Sequence, residues 1–109
     1  MAYSQETAER IRLSLKHFKE DFTEKKMFGG LSFLYQSKMT VGIVREDLAV
    51  RVVASKIEEA LKQKHCRPMD FTKTPMKEFI FVAPPGFDTE EQLLHWITLG
   101  LEHAKSKVG

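Results

Sequence analysis

Cysteine is nearly absent: Cys66 stands alone among 109 residues, which excludes an internal disulfide framework and a multi-cysteine zinc site. Long apolar runs are missing, and no stretch approaches the roughly 20 residues that a bilayer-spanning helix needs. The opening Met1-Ala2-Tyr3-Ser4-Gln5-Glu6 has neither the basic region nor the apolar core of a secretory signal. Excess charge of one sign is lacking too. Seventeen basic and 15 acidic residues leave a formal +2, so the total carries no strong pull toward nucleic acid. No Gly- or Ser-rich linker divides the chain, and no repeat of solenoid length is visible. What is present is 42% hydrophobic residues with eight Phe and one Trp, enough apolar surface for one core. The expectation is a single cytoplasmic domain over residues 1–109.

Periodicity sets the order of elements. From Ser4 to Phe22, the residues Ala8, Ile11, Leu15, Phe18 and Phe22 fall on one stripe of a helix, with Ser4 as its N-cap and Leu13 off the stripe. Three alternating runs follow. They are Leu31-Phe33-Tyr35, Met39-Val41-Ile43 and Leu48-Val50-Val52, and they read as antiparallel strands joined by hairpins. A short strand over Lys25–Phe28 precedes them, joined through Gly29-Gly30, a pair suited to the positive φ of tight turns.

Ser55 and Glu58 resemble a capping box opening a short helix over Lys56–Leu61. Pro68 and Pro75 bracket an irregular or extended segment. Phe79–Ala83 reads as a last strand, stopped by Pro84-Pro85-Gly86. Asp88 then caps a terminal helix whose core stripe is Leu93, Ile97, Gly100, Leu101 and Ala104.

The resulting class is α+β, a two-layer arrangement of an antiparallel sheet with helices on one face, in the order α-β-β-β-β-α-β-α. The other face carries Ser32, Leu34, Thr40, Gly42, Val44, Ala49 and Arg51. It is small and mixed rather than charged, open to solvent or to a partner.

Residues capable of chemistry do not converge. Cys66 lies beside Lys64, His65 and Arg67, but a nucleophile also needs a positioned base and a site for developing charge. Glu91 and His95 are one helical turn apart, and His95 and His103 lie on roughly one side of the terminal helix. No metal-binding motif accompanies them, so neither a metal nor a cofactor is expected. Lys62, Lys64, Arg67, Lys73 and Lys77 form a locally basic segment, the candidates for weak anion contacts. Opposite the terminal helix's core stripe, Leu99 stands with Trp96, Gln92, His95 and His103, a mixed patch that suits a protein partner or a homodimer.

Several motifs in order bear a resemblance. Lys26-Met27-Phe28-Gly29-Gly30-Leu31-Ser32-Phe33-Leu34, with Met39 and Gly42 in the next strand, is similar to the opening motif of the TfoX/Sxy family N-terminal domain. Arg67-Pro68-Met69-Asp70-Phe71 and Thr74-Pro75-Met76-Lys77, followed by Phe79-Ile80-Phe81-Val82, resemble its second motif. Asp47-Leu48 with Val50-Arg51-Val52 fits the strand between, and Trp96 fits the terminal helix.

The resemblance implies a secretion-chaperone-like fold. It also implies kinship with regulators of competence genes, which act on transcription with the catabolite activator protein. Those regulators carry a C-terminal second domain, and none is expected here. The expected role is a non-enzymatic regulatory or protein-interaction module, with nucleic-acid contact weak or indirect. The alternatives are a direct DNA-binding regulator and a small-molecule-binding or thiol-dependent enzyme domain.

Overall fold

The computed structural model describes residues 3–27, 30–68 and 78–108. Helix α1 (Gln5–Leu15) is followed by strands β1 (Thr23–Met27), β2 (Gly30–Tyr35), β3 (Lys38–Val44) and β4 (Asp47–Arg51). Helix α2 (Ala54–Leu61), strands β5 (Cys66–Pro68) and β6 (Phe79–Val82), a 3-10 turn (Pro84–Phe87) and helix α3 (Glu90–Val108) complete the elements of the described residues. The six strands form one antiparallel sheet in the order β1-β2-β3-β4-β6-β5. The α+β class and the one-sided helix layer agree with the sequence. Strand β5 is an addition. It sits at the sheet edge, the place where a strand ending in Pro68 loses no ladder bond.

The main core lies between the sheet and the helices. Phe33, Val41, Ile43, Leu48, Val50, Ile80 and Val82 point from the strands toward Ala8 and Ile11 of α1, Ala60 of α2, and Leu93, Trp96 and Ile97 of α3. Helix α1 starts as expected, with Ser4 Oγ accepting from the Thr7 amide at 3.2 Å. It ends at Leu15, seven residues before the stripe does. Amides of Lys16, His17 and Phe18 bond three residues back, so the chain tightens out of the helix. Phe18 still packs against the core and meets Phe22 edge to face at 6.2 Å.

The other caps differ from expectation. Ser55 makes no capping box, because α2 already begins at Ala54 behind Val53, with no side-chain cap. For α3 the cap is Thr89 rather than Asp88. Thr89 Oγ1 accepts from the Gln92 amide at 3.1 Å, and the Thr89 amide donates to Gln92 Oε1 at 3.0 Å.

The β2–β3 pairing contains the main departure from simple alternation. Phe33 faces Val41, whereas Leu34 faces Met39, leaving Thr40 as the extra residue of a β-bulge. The bulge turns Met39 away from the Val41 side, into a second cluster with Ala49, Phe79 and Phe81. That opposite face is not open: Ser32, Leu34 and Ala49 are all buried. The guanidinium of Arg51 lies 4.6 Å over the Phe79 ring, and that of Arg67 lies 4.8 Å over Phe81.

Two glycines matter for space. A Cβ on Gly30 would stand 2.1 Å from the Ile43 carbonyl oxygen, so Gly30 is needed for close strand approach and not for a positive φ. A Cβ on Gly100 would stand 2.4 Å from the Thr40 carbonyl oxygen, which marks where α3 presses onto the bulge. Gly29, expected from the sequence to lie in a turn, is outside the described residues together with Phe28.

Candidate functional site

The end of α2 and the first half of α3 enclose a groove. Ile57 and Leu61 of α2 pack on the core, which leaves its polar side outward. After Leu61 the chain makes a tight turn over residues 62–65. The Gln63 amide bonds Ala60 O at 3.1 Å, and His65 takes a left-handed φ of 70° before β5 begins. The His65 carbonyl accepts from the Ala83 amide at 2.8 Å, which clips this turn to the start of the 3-10 turn.

Gly86 then comes close. A Cβ there would meet Val82 Cγ1 at 2.5 Å and His65 Cβ at 3.3 Å. The Gly86 carbonyl accepts from the Trp96 indole N–H at 2.9 Å, which pins α3 to the floor of the groove. From α1, Arg10 Nη2 donates to Phe87 O at 2.8 Å and fixes the far corner.

The resulting concavity holds about 420 Å³, between Gln63, Lys64 and His65 on one wall and Glu91, Gln92 and His95 on the other. A narrower one of about 200 Å³, lined by Lys56, Glu59 and Leu99, shares Gln63 and His95 with it. The two are therefore neighbours. The His95 ring stands edge-on to the Trp96 ring at 4.9 Å, with its polar rim exposed. The walls carry both charges, and the floor is Trp96, Gly86 and Pro85. Such a surface is suited to hydrogen bonding with a bound segment.

Cys66 does not line this groove. Cys66 is half-buried in β5, and burial pushes its thiol upward, away from the reactive thiolate. Among the described residues no three His, Cys, Asp or Glu side chains are grouped to hold a metal ion. Among the same residues no helix is long and apolar enough to cross a membrane.

The expected patch on the terminal helix divides. His95 is exposed and lines the groove, and Leu99 is half-buried beside it. Gln92 is exposed, but its carbonyl is engaged in the Thr89 cap. His103 is 1% exposed and lies outside the groove, while Trp96, 2% exposed, contributes only to its floor. Trp96 is drawn inward by its bond to Gly86, a partner no spacing rule reveals.

The basic segment divides as well. Lys62 and Lys64 are exposed, while Arg67 is held by Asp47 at 2.7 Å and stacked on Phe81. Lys73 and Lys77 lie outside the described residues. Of the motif residues, Phe33, Met39 and Gly42 are buried within strands, Met27 ends β1 and Pro68 ends β5. Met69, Phe71, Pro75 and Met76 lie outside the described residues. The groove residues Gln63 and His65 carried no sequence signal, because a helix-end turn becomes a wall only when α3 packs across from it.

A model of the TfoX N-terminal domain matches residues 14–104, which takes in the sheet, α2 and most of α3. No curated protein and no solved structure matches this chain.

Proposed function

The chain belongs to the TfoX N-terminal domain family, and from that premise we propose that it is a non-enzymatic regulatory module that docks a protein partner along the α2–α3 groove. The observation that carries this reading is the pair of neighbouring concavities that share Gln63 and His95. Its polar walls are exposed and its floor is held rigid by the Trp96–Gly86 bond. Competence-linked regulation is the role the family suggests, and a groove reader is how a domain of this size would serve it.

Capture with purified variants tests the reading. A protein retained by the wild type should be lost with His95→Glu and with Gln63→Glu. It should be kept by Lys26→Glu, on the exposed edge strand β1. Equal retention by all four chains would remove the groove from the account.

The direct DNA-binding reading rests on the exposed Lys62 and Lys64. Arg67 adds little to it, because its charge is already paired with Asp47. Contact with duplex DNA is therefore expected to be weak and to fall steeply with salt. A titration of promoter and random duplexes at two salt concentrations measures this. Sequence-selective binding that survives physiological salt would replace the protein-docking reading.

A further inference from the structure

Away from the groove, the other end of α3 holds a part-buried polar cluster with no part in docking. His103 is 1% exposed, and its Nε2 lies 3.3 Å from Glu78 Oε1. Arg51 of β4 brings Nη2 to 4.0 Å from the same carboxylate oxygen and lays its guanidinium on Phe79. Two atoms of this cluster, Arg51 Nε and His103 Nδ1, are buried without a hydrogen-bond partner among the described residues. Glu78 itself has a left-handed φ of 64°, a backbone that a non-glycine residue keeps only where its surroundings hold it. Its carbonyl accepts from the Val52 amide at 3.0 Å, so Glu78 joins the start of β6 to the end of β4. Its side chain joins both to α3.

We propose that Glu78, His103 and Arg51 form a proton-sensitive latch that holds the C-terminal half of α3 on the β4–β6 end of the sheet and loosens it in mildly acid solution. The neutral imidazole suits the site. It donates from Nε2 to the Glu78 carboxylate and leaves Nδ1 as an acceptor. An imidazolium would bury a second N–H with no acceptor at Nδ1, near two cations. Those cations are Arg51 from β4 and Lys107 one turn along α3, and among the described residues Glu78 is the carboxylate that favours the charged ring. The neighbouring charges of α3 are engaged elsewhere, Glu102 with Lys56 of α2 and Lys105 with Glu20 after α1.

The direction of the linkage follows. Burial holds His103 below its ordinary 6.5, with Arg51 and Lys107 acting the same way against the Glu78 hydrogen bond. The unfolded chain thus takes up a proton that the folded chain resists. The latch is complete above about pH 6.5 and is lost as pH falls through the folded value. Glu78 is held below its usual carboxylate range, chiefly by the His103 hydrogen bond, and stays ionised across this window.

Urea unfolding at about pH 7.5 and about pH 5.5 tests the latch, the limit for one such proton being about tenfold in the folding constant. The wild type should fall by up to that factor. His103→Gln keeps a donor toward Glu78 but cannot titrate, so its constant should change much less. An equal fall in both chains overturns the latch. A magnetic-resonance titration of the imidazoles decides the matter independently of how the variant folds. The His103 ring should titrate below the ordinary histidine value, and a midpoint at or above that value overturns the proposal.

Discussion

His95 and His103 lie on the same helix, about 80° apart around its axis, and meet opposite surroundings. His95 stands over an open groove, edge-on to Trp96 and exposed to water. His103 is sealed between α3 and the sheet, against a carboxylate and a guanidinium. Between them lies Gly100, where α3 rests directly on the Thr40 backbone. The N-terminal half of α3 is fastened by the Trp96 indole on the Gly86 carbonyl, a bond that does not titrate near neutrality, and its first residue, Glu90, meets the exposed His17 ring at 3.1 Å. The C-terminal half is fastened through side-chain charges: Lys56 to Glu102, Lys105 to Glu20 and His103 to Glu78. One helix therefore presents a rigid wall at one end and a charge-held arm at the other.

The contact at Gly100 is the most sensitive point of this division. Gly→Ala in a helix interior ordinarily stabilises by about 1 kcal/mol. Here the added methyl meets strand backbone, so Gly100→Ala should instead destabilise by about 3 kcal/mol, read from urea midpoints. A gain in stability would show that α3 does not touch the bulge.

Trp96→Phe removes the indole donor and leaves the buried Gly86 carbonyl without it. A loss of about 1–2 kcal/mol is expected at neutral pH, and an unchanged midpoint would show that the N-terminal half is not pinned there. Cys66→Ser, in a half-buried edge strand, should cost less than about 1 kcal/mol and leave partner capture intact. Loss of capture without loss of stability would bring the thiol into the site. The smallest effect is expected for His95→Gln, within about 0.5 kcal/mol in stability, because the ring is exposed. A larger change would place His95 in the fold rather than on the groove.

Much of the fold was legible because it is written in single-element periodicities. The stripe Leu93, Ile97, Leu101 and Ala104 is buried as its spacing requires, and the alternating runs became β2, β3 and β4. The family motifs were legible for the same reason, being local and in order. The bulge at Thr40 was not, since one extra residue leaves the alternation intact on paper while turning Met39 to the other face. Strand β5 was too short to show a period, and its pairing with β6 is non-local.

The candidate site was the least legible part. Trp96 and His103 read as surface because helix angle alone cannot show that Gly86 and Glu78 arrive from other elements to cover them. The groove arises from the same cause. Its walls are separate helix ends until the sheet sets them face to face.

Amide hydrogen exchange along α3, at about pH 7.5 and about pH 5.5 and corrected for intrinsic rates, tests the division of this helix most directly. The account predicts that amides from Leu101 onward lose protection on acidification while those from Leu93 to Leu99 keep theirs. A uniform change along the whole helix, or none, would contradict it.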